Sequence, residues 1–196
     1  MFLVIDFEAT CFDDGLSHHD NEIIEIGSCL LNDSFEILDT KSVFVKPVRN
    51  PVLTKFCTKL TSIRQADVDN AETFDVAWEK YRKYIENATM ISARDLIFCS
   101  WGNYDKNQLK RDCDYHNLEF PFIHHVNLKG EFSKKYRLGN NKAGVQKALS
   151  MLNMQFQGNH HRGIDDAFNI ARIFINEWKQ TGFELNKKHI IHWEVH

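Results

Sequence analysis

Two carboxylates, Asp6 and Glu8, lie at the end of an apolar run near the start of the 196-residue chain. Residues two apart on a β-strand point to the same face, so both side chains project together if this run is a strand. Adjacent negative charges are costly unless they are neutralised, and Mg²⁺ and Mn²⁺ prefer such oxygen ligands. The pair therefore predicts a metal site, and the alternative is two solvated residues at a strand end.

Further polar residues stand where two helices are expected to begin. Asp105 follows an apolar run, a position where α/β sheets bind ligands and where the helix macrodipole also favours a carboxylate. His161 and Asp166 stand just before the last long helical pattern. Gly163 between them is expected to allow a turn, so that both side chains can face one site. The alternative is a helix-start charge and a surface histidine.

The hydrophobic pattern predicts the elements that position these residues. Strands are predicted over Phe2–Ile5, Glu22–Leu31, Phe35–Val45, Leu96–Ser100 and Val126–Leu128. Helices are predicted over Phe74–Ile85, Tyr104–His116, Lys129–Lys135, Gly144–Leu152 and Asp165–Trp178, with a short helix inside Thr58–Val68. Three strands followed by alternating strands and helices are typical of an α/β domain: a mixed sheet, first an antiparallel meander and then parallel strands, flanked by helices.

Composition places this chain among single-domain proteins. It is 43% hydrophobic and 26% charged, which predicts one domain over residues 1–180 and a C-terminal tail over 181–196. A net charge of −3 argues against a broad basic surface that coats nucleic acid. The five cysteines form no Cys-x-x-Cys pair, which indicates free thiols in a reducing compartment. No signal peptide or membrane-spanning run is apparent, so a cytoplasmic protein without a membrane partner is expected.

Taken in order, the motifs resemble those of the DEDDh 3′–5′ exonucleases of the ribonuclease-H-like superfamily. That family's pattern, Asp-x-Glu, a later Asp and His-x4-Asp, is matched here by Asp6, Glu8, Asp105, His161 and Asp166. Five segments resemble the branch of the family that contains the histone-messenger and small-RNA-trimming exonucleases and their bacterial relatives. They are Asp6–Cys11, Asn21–Ile26, Cys57–Thr61, Val68–Ala71 and Asp165–Ala171. The similarity runs from about Phe2 to Ile175, although Ser62 stands where that branch often has glycine.

The resemblance implies a ribonuclease-H-like fold and an enzyme that removes nucleoside 5′-monophosphates from the 3′ end of single-stranded nucleic acid, RNA rather than DNA. It implies that two Mg²⁺ or Mn²⁺ ions are held by four residues, Asp6, Glu8, Asp105 and Asp166. His161 would act as the general base that takes a proton from the attacking water. The oligomeric state is not indicated.

Substrate contacts are less clearly marked. The resemblance places Ala9 and Thr10 near the terminal nucleotide. Phe12 and Trp101 are aromatic residues that could stack on bases, or could simply pack in the core or at its rim. Arg162 is expected either to meet a phosphate or to be solvated.

Close neighbours of the site residues compete for the same roles. His160 precedes His161 and Asp165 precedes Asp166, so each is a position with which the predicted residue could be confused. Three other functions stay open: a binding module with an inactive site, a metal-dependent endonuclease, and a zinc protein that uses tail histidines. The zinc alternative is weak because His189, His192 and His196 lack structural-zinc spacing with any cysteine.

Overall fold

The computed structural model describes residues 1–13, 20–140 and 142–191. Its strands are β1 (Phe2–Ala9), β2 (Ile23–Leu31), β3 (Ile37–Lys46), β4 (Glu72–Thr73), β5 (Ile97–Ser100) and β6 (His124–Asn127). Its helices are α1 (Lys55–Thr61), α2 (Gln65–Asp69), α3 (Phe74–Thr89), α4 (Tyr104–Tyr115), α5 (Leu128–Lys135), α6 (Val145–Met151) and α7 (Gly163–Trp178). Short 3₁₀ turns lie at Ala93–Asp95 and Lys187–His189.

All six strands form one mixed sheet in the order β4-β3-β2-β1-β5-β6. β1, β2 and β3 pair as an antiparallel meander, whereas β1, β5 and β6 run parallel. This arrangement confirms the predicted fold class. Because β1 lies at the centre and runs parallel to β5, the carboxyl ends of these two strands meet at one edge of the sheet, where open α/β sheets bind ligands.

The alternation of β1 assigns its side chains to two separate cores. Leu3, Ile5 and Phe7 pack on the face covered by α3 and α4. Phe2 and Val4 pack on the opposite face, which α5, α6 and α7 cover. Asp6 and Glu8 share the spacing of Phe2 and Val4, and they therefore belong to the α7 face.

The structure departs from the predicted elements in three places. β1 continues beyond the predicted end at Ile5, because its polar residues remain in the strand. The single short helix expected within 58–68 is replaced by α1 and α2, since Ser62 takes a left-handed conformation with φ +61° and ends α1. The two-residue strand β4 was not predicted.

The segment after α7 contacts the domain as far as it is described. The Phe183 ring packs against Phe174 and Trp178, and the backbone N–H of Ile191 donates to the carbonyl of Ile123 at 2.9 Å. The domain boundary at residue 180 stays a prediction. His192 and His196, part of the zinc alternative, lie outside the described residues. Within the described ranges, no helix has both the length and the apolar character needed to cross a membrane.

Candidate active site

Three of the predicted carboxylates meet above the carboxyl end of β1. Asp6, Glu8 and Asp166 each place a carboxylate oxygen within 4.8 Å of the other two. Glu8 and Asp166 are buried, with 9% and 5% of their surfaces exposed. Asp6 and Glu8 come from alternate positions of one strand, as predicted, and Asp166 comes from the first turn of α7.

A contact between two glycines brings α7 to this position. Gly27 lies beside Asp6 on β2. A Cβ atom built on Gly27 would overlap the backbone of Gly163, and one on Gly163 would lie 2.8 Å from the backbone oxygen of Asp6. The first turn of the helix therefore rests directly on the backbone of the sheet, and Asp166 reaches the carboxylates of β1.

The turn expected at Gly163 is made by His161 instead. His161 has φ +64°, in the left-handed region, whereas Gly163 is the first residue of α7. The expectation was wrong because this glycine serves close packing rather than backbone freedom. With the chain turned at His161, its backbone N–H donates to Oδ2 of Asp166 at 2.7 Å.

Asp105 approaches the same strand from α4. It is the second residue of that helix, is 4% exposed, and its Oδ1 accepts a hydrogen bond of 3.0 Å from the backbone N–H of Phe7. Phe7 lies between Asp6 and Glu8, so the bond fixes the fourth predicted carboxylate beside the other three.

The electrostatics of this cluster favour a bound cation. Burial is the largest cause of a raised pKa at each of the four carboxyl groups, and neighbouring carboxylates raise the values of Asp6 and Glu8 further. The pKa of Glu8 rises to about 8, and those of Asp105 and Asp166 rise to about 6. Groups that hold protons in this way release them when a divalent cation binds, and an all-oxygen donor set suits Mg²⁺ or Mn²⁺. The residues present therefore fit such an ion.

A fifth acidic residue, which sequence reasoning missed, lies next to the cluster. Glu25 is opposite Glu8 on β2 and is fully buried. Arg162 donates to it from Nε at 3.1 Å and from Nη2 at 3.2 Å. The expectation of a solvated Arg162 is therefore replaced by an ion pair with Glu25, and a phosphate contact stays a prediction. The available signal was a charged residue inside the otherwise apolar run of β2.

The structure distinguishes Asp166 from its neighbour Asp165, whereas His160 and His161 both lie at the site. Asp165 lies outside the carboxylate cluster, because its Oδ2 accepts from the backbone N–H of Asn159 at 2.8 Å. The His160 and His161 rings are in contact, with centroids 3.9 Å apart. His160 Nε2 lies 3.8 Å from Oδ1 of Asp166. Burial, and then the charge of His160, lower the pKa of His161.

The predicted substrate-binding residues have different surroundings. Ala9 and Thr10 are buried next to Glu8, and Thr10 Oγ1 accepts from the backbone N–H of Glu22 at 2.9 Å. Phe12 is half-buried. Trp101 packs on Phe132, and its Nε1 donates to the carbonyl of Ala143 at 3.0 Å, so packing accounts for this ring. Its stacking role, like the other substrate contacts, stays a prediction.

Tyr104 is a second residue that sequence reasoning missed. It immediately precedes Asp105 and is 48% exposed. Desolvation of the phenol, and then the charge of Asp105, raise its pKa to about 12. An exposed ring beside the carboxylates can stack on a base. The signal was an aromatic residue directly before the predicted helix-start Asp.

Comparison with known proteins gives a consistent result. The family model described as exonuclease, RNase T, matches residues 3–174. Human ERI1 exoribonuclease 3 is 37% identical over 181 residues, which cover 88% of this chain and 52% of that protein. Human 3′-5′ exoribonuclease 1 is 31% identical over 193 residues, which cover 96% of this chain and 55% of that protein. The chain spans 28% of the length of human ERI1 exoribonuclease 2 and 56% of that of rat 3′-5′ exoribonuclease 1.

A solved structure extends the likeness to the whole fold. The nuclease domain of 3′hExo, a DEDDh family member bound to rAMP, matches with a TM-score of 0.83 and 31% identity. The match covers 89% of this chain and 90% of that domain. Together with the family model and the gathered carboxylates, it confirms the resemblance noted in the sequence: the chain belongs to the exonuclease family, within its DEDDh group.

Proposed function

We propose that this protein is a 3′–5′ exoribonuclease that removes nucleoside 5′-monophosphates one at a time from single-stranded RNA, with two Mg²⁺ or Mn²⁺ ions. The observation that carries the proposal is the convergence of Asp6, Glu8 and Asp166 within 4.8 Å, with Asp105 fixed beside them. The preference for RNA is supported by relatives named exoribonucleases and by a relative's structure with rAMP.

Each site residue has a role in this proposal. Asp6, Glu8 and Asp166 would hold one ion, and Asp6 and Asp105 would hold the second, directly or through water. When bound, the ions supply positive charge that stabilises the attacking and leaving oxygens of an in-line displacement at phosphorus. His161, neutral at physiological pH because its pKa is lowered, takes the proton of the attacking water.

The terminal nucleotide would lie between the end of β1 and the start of α4. Ala9 and Thr10 border this space on the strand side, and Tyr104 offers an exposed ring on the helix side. Stacking on Tyr104 would be tolerant of base identity, since every base has a π-face. Discrimination between RNA and DNA requires contact with the 2′-hydroxyl.

The test is a degradation ladder. RNA and DNA oligonucleotides labelled at the 5′ end are incubated with Mg²⁺, with Mn²⁺ or with a chelator. We expect stepwise shortening from the 3′ end that needs metal and is faster on RNA. Asp166→Asn should abolish it, because the carboxylate cluster loses a charged ligand. Asp165→Asn is the matched control, since Asp165 binds Asn159 instead of the cluster, and it should retain activity.

Other products would reject the proposal. Cleavage of circular single strands would indicate an endonuclease. Folded protein that shortens no substrate with either metal would indicate a binding module. Equal losses in Asp165→Asn and Asp166→Asn would mean that the cluster has been assigned to the wrong residue.

A further inference from the structure

We infer that Glu25 is a positioning residue, which holds the first turn of α7 and the His161 segment against β1 so that Asp166 meets Asp6. The inference rests on the proposed function. It concerns a residue that lies on a different strand from Asp6 and Glu8 and that is outside the carboxylate group suited to a metal ion.

The contacts of Glu25 join the start of α7 to the sheet. Oε2 accepts from the backbone N–H of Gly163 at 3.0 Å and from Nε of Arg162 at 3.1 Å. Oε1 accepts from Nη2 of Arg162 at 3.2 Å and from Oγ of Ser42 on β3 at 2.6 Å. Three of the four bonds therefore go to two successive residues at the start of α7, and one goes to the sheet.

Arg162 and Gly163 lie between His161 and Asp166 in the chain. Arg162 follows His161, and its carbonyl accepts from the backbone N–H of Asp166 at 2.9 Å. Asp166 in turn accepts from the backbone N–H of His161. A displacement of Arg162 would thus move the general base and the metal-binding carboxylate together. A misplacement of about 1 Å can cost about 100-fold in rate.

The electrostatic cost of Glu25 argues that its role is geometric. Its charge raises the pKa values of Asp6, Glu8 and Asp166, and so adds repulsion to a cluster already crowded with carboxylates. Buried ion pairs often contribute little net stability compared with apolar residues of the same size. What an apolar residue at position 25 would lack is a fixed acceptor for both the Arg162 guanidinium and the Gly163 amide.

The test compares substitutions of Glu25 and of two residues that donate hydrogen bonds to it, Arg162 and Ser42. Glu25→Gln removes the charge and one of the two acceptor oxygens, and Arg162→Gln removes the guanidinium donors, so each weakens the attachment of α7. Ser42→Ala removes a bond to the same carboxylate on the sheet side. We expect the first two variants to lower kcat about 10- to 100-fold with KM changed less than about threefold. Ser42→Ala should stay within about twofold of the wild-type kcat, since the contacts of α7 are unchanged.

Two further measurements separate positioning from general stability. The double variant Glu25→Gln/Arg162→Gln should be no worse than about threefold below the poorer single variant, because both changes break one interaction. Mn²⁺ affinity, measured by electron paramagnetic resonance without RNA, should fall about tenfold in Glu25→Gln and stay unchanged in Ser42→Ala. Circular dichroism confirms that each variant is folded at the assay temperature, and Arg162→Lys, which keeps the charge, serves if Arg162→Gln does not fold.

Several outcomes would overturn the inference. They are a Glu25→Gln variant with wild-type kcat and Mn²⁺ affinity, a double variant whose loss is the product of the single losses, or equal effects of Ser42→Ala and Glu25→Gln. A wild-type protein that binds Mn²⁺ but degrades no RNA would reject the proposed function instead. In that case the Mn²⁺ comparison would still decide the role of Glu25.

Discussion

His160 and His161 lie side by side at the site, and only one of them can be the principal base. His161 is held by its left-handed backbone and by its bond to Asp166, while His160 approaches the same carboxylate with its ring. The family pattern favours His161.

We predict that His161→Ala lowers kcat about 100- to 10,000-fold, the usual contribution of a general base, and that His160→Ala lowers it less than about tenfold. Single-turnover rates on RNA at saturating Mn²⁺ provide the measurement. The reverse order of losses would place the base at His160.

The pH dependence follows from the same residue. The base works in its neutral form, and the pKa of His161 is lowered below the ordinary value of 6.5 by burial and by the charge of His160. The rate should therefore rise with pH through a midpoint below 6.5 and level off above it. In His160→Ala the midpoint should move upward. A profile that is flat over this range at constant metal occupancy would exclude His161 as the base.

At the scale of single residues, functional positions could be predicted where the residue type itself indicates the chemistry. Carboxylates at fixed spacing marked Asp6 and Glu8 as a candidate metal site, with two solvated residues as the alternative. Asp105 and Asp166 were candidates from their helix-start positions, but the family resemblance was needed to join them to one site, because nothing local shows that two distant helix starts meet. Glu25 and Tyr104 were missed for the same reason: their partners come from other elements.

Among the elements, the crossing of α7 over the sheet depends on Gly27. We predict that Gly27→Ala destabilises the protein by about 1–3 kcal/mol, because the added methyl group overlaps the backbone of Gly163 and no side chain can rotate away. The kcat should fall about 100-fold as Asp166 is displaced. Urea unfolding and the RNA assay measure the two effects.

Gly144→Ala is the matched control for this change. A Cβ on Gly144 meets no atom within 4 Å and its φ is −68°, so we expect a cost below about 1 kcal/mol and no loss of activity. If both substitutions had equal effects, the glycine contact would not be what positions α7.

The end of α1 offers a stabilising substitution. Ser62 is exposed and holds a left-handed conformation, which costs L-residues energy that glycine avoids. We predict that Ser62→Gly raises the free energy of unfolding by about 0.5–1 kcal/mol. Ser34→Gly, at an exposed serine without positive φ, should give no gain. Equal shifts of the urea midpoint in both variants would contradict the argument.

Most helices and strands were predictable because their hydrophobic pattern extends over enough residues to show its period. α3 and α7 carry apolar residues at helical spacing, and β2 and β3 are long strands. β4 has two residues and is defined by its pairing with β3, which no local pattern reveals. The predicted end of β1 was too early because two closely spaced carboxylates look like the start of a loop.

For the molecule as a whole, we expect acid stability to depend on His125, which is not one of the clustered acidic residues. His125 is 7% exposed, and its Nε2 lies 2.9 Å from Oγ of Ser100. Burial, followed by the charges of Lys106 and His189, lowers its pKa from 6.5 to about 3. The unfolded chain therefore binds a proton between these values that the folded protein does not. Stability is complete above pH 6.5 and decreases as the pH falls toward 3.

We predict that this group removes about 1.4 kcal/mol of unfolding free energy for each pH unit below 6.5. The measurement is the difference between wild type and His125→Phe in urea titrations at several pH values, with chelator present. The difference is needed because the carboxylates of the site, whose pKa values are raised, have the opposite pH dependence. Parallel curves for the two proteins would show that His125 does not govern acid stability.

The carboxylates of the site are divided between the first strand and the last long helix. A ribosome releases the chain from its N-terminus, so β1 emerges long before α7 does. Until α7 has emerged and Gly163 has packed against the sheet, the growing polypeptide has Asp6 and Glu8 without Asp166. On the proposed function, a nascent chain without α7 has an incomplete carboxylate site, and we expect RNA cleavage to begin only after this helix has emerged.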